Sequence, residues 1–315
     1  MPNVLQTAIK IQETLDKAAM QQLLTGWMEP NASQVKYNGG KEVKIPKLTV
    51  DGLGDYSRAD GTGTKGYVAG SANFSYETKT MTQDRGRKFE IDAMDVDETN
   101  YGLTIANVMG EFQRMHVLPE IDAYRLSKLA TVAMGVSDDK NVKYEYTPAK
   151  ESIINEIKYG IKVIRENGYN GDLVIHLTYD AMMEVELAML GKIASVDFSQ
   201  GGVNTKVPAI DRIPLIETPQ NRMYTAIKLN DGKSSGQEVG GYKKGDTAKD
   251  INFIICPRTT PIAITKQDNL KIFTPDQNQD ADAWKSAYRR YHDIWVKDNA
   301  EKSIYVNIKD AKAGM

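Results

Sequence analysis

The sequence predicts an α+β chain, because three patterns follow one another along it. Two alternating, strand-like runs flank a glycine-rich excursion, one very long segment has helical spacing, and the remainder mixes helices with short apolar strands.

The first pattern is a long hairpin. Residues 41–50 alternate Val43 and Ile45 with polar positions, and residues 73–84 return with Phe74, Tyr76, Thr78 and Thr80 in step. The intervening 51–71 is rich in glycine and has no periodic core. A two-stranded ribbon is marginal in water on its own, so this one is expected to lie on another copy of the chain. Ahead of it, Leu5, Ala8, Ile9, Leu15, Ala19, Leu23 and Trp27 give residues 2–26 a helix with an apolar side, and a turn-prone linker fills 30–40.

The second pattern is a strut. Asp92, Asp95, Asp97 and Glu98 precede it, where negative charge offsets the positive end of a helix. Ile105, Val108, Met109, Phe112 and Met115 then recur at helical spacing, and after Pro119, which should kink or restart the helix, the register resumes with Ile121, Leu126, Leu129, Ala130 and Ala133.

The third pattern begins near Pro148. Ile153, Ile154, Ile157, Ile161 and Ile164 mark a helix closed by Asn167 and Gly168; 173–177 reads as a buried strand and 181–190 as a helix. Strands are expected at 213–217, 223–227, 251–256, 262–265, 270–273, 291–296 and 304–308, with a mobile loop over 230–249 and a helical piece around Trp284.

Composition excludes several functions. With 41% hydrophobic and 26% charged residues, 315 residues suit one or two ordinary folded domains, and a formal charge of -2 lacks the basic balance of a nucleic-acid binder. The one cysteine, Cys256, lies in an apolar run and reads as a buried, inert thiol compatible with a reducing compartment. Lys10, Glu13, Asp16 and Lys17 interrupt the N-terminal apolar residues, which argues against a secretory signal, and no run is long enough to span a bilayer.

Chemical motifs are sparse. Gly61-Thr62-Gly63-Thr64-Lys65-Gly66 matches the dinucleotide fingerprint letter by letter, but Tyr67 and Val68 follow where a helix should receive the pyrophosphate. A hairpin tip is the simpler reading. A calcium loop counted from Asp95 fails at Asn100 and Ala106, which stand where Gly and Glu are required. His116, His176 and His292 form no metal-ligand spacing and read as structural residues. The reading is therefore of a protein that is not an enzyme, with no catalytic, cofactor-binding or metal residues assigned.

Three stretches carry a family resemblance: Arg85-Gly86-Arg87-Lys88-Phe89-Glu90-Ile91-Asp92 leading into the long helix, Ile210-Asp211-Arg212-Ile213-Pro214-Leu215-Ile216, and Asp280-Ala281-Asp282-Ala283-Trp284 followed by Tyr288-Arg289-Arg290-Tyr291-His292-Asp293. In this order they resemble segments of HK97-fold major capsid proteins of tailed phages, of the type found in phages of Gram-positive bacteria. The resemblance implies an N-terminal arm (1–38), an extended loop (39–92), a peripheral domain with a spine helix (93–148), an axial domain (149–260), and a return to the peripheral domain with a final axial strand (261–315). It also implies hexamers and pentamers of an icosahedral virion shell around double-stranded DNA, assembled in the host cytoplasm. Scaffolding, portal and decoration proteins would be partners, the scaffold as a separate protein because the arm opens the sequence. An encapsulin-like compartment is the alternative within the fold, and a nucleotide-binding enzyme using Gly61 to Gly66 the alternative outside it. Some relatives cross-link a loop lysine to an asparagine; Lys65 or Lys79 with Asn278 would be the counterparts, although solvated lysines are the simpler reading.

Overall fold

The computed structural model describes residues 23–37, 39–56, 58, 66–98, 105–136, 140–190, 193–200 and 203–312. The expected N-terminal helix falls almost wholly outside these residues, as do Lys65 and Gly61 to Thr64.

The described chain opens on a 3-10 segment, Gly26–Gln34, whose Trp27 and Met28 are buried. Then come β1 (Lys36–Tyr37), β2 (Glu42–Val50) and β3 (Ala72–Thr80), an antiparallel sheet in which β2 and β3 pair without interruption from Glu42↔Thr80 to Val50↔Ala72. The expected returning arm is shorter than read, because Asp84 lies on β4 (Gln83–Asp92), which pairs elsewhere. Helix α1 (Ala93–Glu98) follows, with Asp92 accepting a hydrogen bond from the Met94 N–H at 2.9 Å.

The spine begins at Ile105. Helix α2 (Ile105–Phe112) passes through a π turn, Gln113–Val117, into α3 (Leu118–Gly135), about 46 Å at 1.5 Å per residue. Pro119 has no N–H to donate to the preceding turn, and immediately before it the Leu118 N–H reaches back five residues to the Gln113 carbonyl. The wider turn rotates the helix face. Gln113 is consequently buried while Met115, expected on the apolar stripe, is exposed.

After β5 (Val142–Lys143) come α4 (Ile153–Glu166), β6 (Leu173–Thr178), α5 (Tyr179–Met189), β7 (Ala194–Gln200), β8 (Val203–Ile210), β9 (Ile213–Thr218), β10 (Ile227–Leu229), β11 (Tyr242–Lys244), β12 (Ile251–Pro257), β13 (Ile262–Phe273), β14 (Ala283–Trp295) and β15 (Tyr305–Ile308). Seven strands form one sheet in the order β5-β15-β12-β6-β9-β8-β7. Its centre is covered on both faces: Leu173, Ile175 and Leu177 point to α4 and α5, while Val174 and His176 point to α3 and the Trp27 segment. That double burial is why β6 is apolar almost throughout.

The third sheet is β13-β14-β4, with β14 central. One face, carrying Tyr288, packs under the spine, and the other, carrying Ile262, Ile264 and Tyr291, receives the root of the hairpin.

Several expectations are corrected. Trp284 lies in β14 opposite Ile91 of β4, not in a helix, because pairing with β4 overrides the helical propensity of its Ala-rich flank. Within residues 230–249, read as a mobile loop, the structure places a strand, β11, which pairs with β10, and the Asn230 N–H donates to the Gly241 carbonyl. The expected strand at 223–227 is only an isolated bridge, Tyr224↔Asp250, ahead of β10. A further hairpin beyond the expected strands is β7–β8, paired from Ala194↔Ala209 to Gln200↔Val203.

Candidate assembly surface

The hairpin β2–β3 changes its apolar side part-way along. At its root the odd-numbered Val43 and Ile45 are buried with Met81, Ile262, Ile264 and Tyr291. Beyond Pro46 the apolar residues are even-numbered and point the other way: Leu48 is 63% exposed, Val50 66%, Phe74 59% and Tyr76 48%. Leu48 pairs directly across from Phe74 and Pro46 from Tyr76, and the Phe74 and Tyr76 rings meet edge-on at 5.0 Å, so these side chains form one continuous patch. On the opposite face Lys47 reaches back to Asp298 at 2.6 Å. One face therefore grips the chain's own body, and the other is left bare.

Past the strands, the Asp51 carboxylate accepts from the Ser71 N–H at 2.7 Å and its hydroxyl at 2.9 Å. These bonds, the backbone one first, hold its pKa below the usual carboxylate range. Leu53, Tyr56, Tyr67 and Val68 are exposed beyond this clasp. Apolar side chains in this number are a contact surface, because covering each would gain about 1.5–3 kcal/mol.

Buried charge fixes the body beneath. Glu29 accepts from Arg125 at 2.8 Å and from Arg290 at 3.1 Å, and Arg290 also meets Asp268 at 2.5 Å. Burial opposes ionisation of Glu29, but the two guanidiniums outweigh it and hold its carboxyl below the usual range. One turn away, Asp122 accepts from the Thr25 N–H and hydroxyl and from Arg222. The Gly26–Gln34 segment, the spine and β14 are thereby locked together.

The residues considered for chemistry are distributed without convergence. His176 is fully buried between Trp27 and Thr218, and burial lowers its pKa to about 3. His292 is buried against Tyr124, its pKa well below the usual value through burial first and then Arg290. His116 is exposed on the π turn beside Phe112. The Cys256 thiol is buried and pushed up to about 12, too high for a nucleophile at neutral pH. Among the described residues no three His, Cys, Asp or Glu side chains cluster as metal ligands, and no helix is long and apolar enough to cross a membrane.

Gly66, the described end of the glycine motif, has φ +93° and leads into extended chain and β3, so the helix that a pyrophosphate site requires does not follow it. Lys79 pairs with Glu77 on its own strand, and the Asn278 amide donates to the Ala283 carbonyl at 3.1 Å.

No protein-family model and no curated protein sequence matches the chain. Solved structures do. The chain is similar to a structure described as the asymmetric unit of the bacteriophage PhiM1 mature capsid, at 10% identity over 86% of this chain and 82% of that one, with a TM-score of 0.53. It is similar to structures from Mycobacterium phage Bobi (8% identity, 90% and 91% covered, TM-score 0.58) and Mycobacterium phage Che8 (13%, 85% and 84%, 0.54). At these identities the likeness is one of fold, and it extends over nearly the whole chain: this is the HK97-like fold of phage capsid structures, as the sequence resemblance implied.

Proposed function

We propose that the chain is a major capsid protein of a tailed phage, which self-assembles into hexamers and pentamers of an icosahedral shell around double-stranded DNA. The observation that carries this reading is the bare apolar face of the hairpin, from Pro46 to Val50 and Ala72 to Tyr76, held out from the body by a root that packs on the opposite face. Among the described residues of a lone subunit nothing covers it. A neighbouring copy does, and many such contacts in a closed lattice reinforce one another by avidity.

In this reading the seven-stranded sheet with α4 and α5 is the axial domain, and the spine with β13-β14-β4 is the peripheral domain. Scaffolding, portal and decoration proteins are the expected partners, the site of action is the virion, and assembly takes place in the host cytoplasm. The formal charge of -2 suits non-specific contact with packaged DNA, because a strongly basic lumen would grip it. No catalytic role is assigned. The test is to express the chain alone and with a scaffolding partner, then to combine size-exclusion chromatography with negative-stain electron microscopy. Shells, tubes or hexameric rings support the reading; a small, compact species under both conditions overturns it. Nuclease-protected DNA inside shells made during infection separates a phage capsid from a compartment holding protein cargo.

A further inference from the structure

Helix α5 is apolar on the side it turns to solvent as well as on the side it buries. Ala181, Met182 and Val185 pack against the seven-stranded sheet, while Tyr179, Met183, Leu187 and Leu190 follow one another at three- and four-residue spacing on the outward side and are exposed. Leu190 caps the helix at φ +45°, a conformation that favours glycine, and its side chain is nevertheless 76% exposed. A helix that is apolar all round belongs inside a structure. We propose that β10 and β11 of a second copy of the chain cover this stripe by laying Lys228 and Lys243 along it. This rests on the capsid reading and names a contact between one subunit and the next.

Charge points to that occupant. Asp180 and Glu186 stand exposed on the two flanks of the stripe, about 9 Å apart along the helix axis. Helix α5 contains no Lys or Arg, and among the described residues neither acid meets a cation. Lys228 and Lys243 carry the opposite excess. Both are exposed, they pair directly across from each other in the β10–β11 ladder, and among the described residues neither meets a carboxylate. Like charges placed opposite one another destabilise a ladder, and two acids from outside relieve that repulsion. Lysine also suits the apolar ground between the acids. Its four-carbon stem covers apolar surface while the ammonium reaches a flanking carboxylate or the face of the Tyr179 ring.

Direction excludes the chain's own lysines. Helix α5 packs on the sheet face that carries Leu173, Ile175 and Leu177, whereas Ile227 and Leu229 of β10 pack on the face that carries Val174. Lys228, between Ile227 and Leu229 on the strand, therefore points outward from that second side. The stripe and the lysines look out from opposite sides of the subunit, so they meet only between copies. Each copy offers α5 to one neighbour and its lysines to another, a head-to-tail contact that makes a ring when the rotation between copies closes.

The test is charge reversal followed by rescue, read as particle yield in sedimentation with negative-stain electron microscopy. Asp180→Lys with Glu186→Lys, and separately Lys228→Glu with Lys243→Glu, should each lower the yield at least about tenfold, because like charges then face each other across the contact. The melting temperature of the free subunit should stay nearly unchanged, since all four side chains are exposed. The chain carrying all four reversals should recover most of the yield. Normal assembly of either pair variant overturns the proposal. So does a fourfold variant that assembles no better than the pairs, the result expected if the lysines serve packaged DNA instead. Carbodiimide joins a carboxylate directly to an amine. Applied to wild-type particles built from isotope-labelled and unlabelled subunits, it should link α5 to β10 or β11 in peptides of mixed isotope. Particles without that link overturn this assignment alone; a wild-type chain that forms no particles, with or without a scaffolding partner, overturns the capsid reading and the assignment with it.

Discussion

The indole Nε1 of Trp27 donates a hydrogen bond to Nε2 of His176 at 3.1 Å, joining a segment outside the seven-stranded sheet to the middle of its central strand. Because Nε2 accepts, the proton of the neutral ring lies on Nδ1, which faces Thr218 Oγ1 at 3.1 Å. Both rings are fully buried, and protonating Nε2 would break this bond.

Acid should therefore weaken the fold through His176. Its folded pKa of about 3 lies below the ordinary value of 6.5, so the unfolded chain binds the proton first. The stabilisation is complete above pH 6.5 and is lost as pH falls toward 3, at up to about 1.4 kcal/mol per pH unit for this one group. Urea unfolding at pH 7, 5.5 and 4.5 should show the slope, and His176→Gln should flatten it while lowering stability at pH 7.

Glu29→Ala should cost about 3–5 kcal/mol, because it leaves the Arg125 and Arg290 guanidiniums buried without their shared carboxylate. A thermal melt of the isolated subunit measures it. Lys47→Ala, which removes the exposed pair with Asp298, should leave the melting temperature nearly unchanged.

Phe74→Ser combined with Tyr76→Ser should leave the melting temperature of the isolated subunit nearly unchanged, since both side chains are exposed in it. The same pair should sharply reduce the yield of assembled particles in sedimentation. Normal assembly would remove the bare hairpin face from the account of assembly.

Gly160→Ala sets two effects against each other in α4. Alanine gains about 1 kcal/mol of helix propensity, but its methyl would stand 2.6 Å from Tyr305 Cδ1 and 2.9 Å from Ile255 Cδ1 in a packed core. Overpacking costs about 1–3 kcal/mol, so a net loss is expected in denaturant titration. A gain would mean that the Tyr305 ring moves freely.

Much of the fold was legible where periodicity was unbroken. Ile153 to Ile164 announced α4, the alternation from Val43 to Ile45 announced β2, and an almost wholly apolar run from Leu173 to Leu177 announced a strand covered on both faces. The failures have local causes. Trp284 sits beside Ala281 and Ala283, which favour helix, and only pairing with Ile91 of β4 makes it a strand. Met115 follows the helical spacing on paper, but the π turn ahead of Pro119 rotates it to the surface.

By itself the sequence determined the order of hairpin, spine and sheet, because helical and strand periods are local properties of consecutive residues. It also determined that no catalytic motif was complete, since the glycines of the 61–66 motif lead into Tyr67 and Val68. Only the tertiary structure decided which face of the hairpin is spent on the chain's own body and which is bare. That depends on where Ile262, Ile264 and Tyr291 lie in space, some 200 residues away along the chain. The same holds for the ion lock of Glu29, Arg125 and Arg290, whose members carry no mutual signal in sequence: charges far apart along a chain become partners only when packing removes the water between them.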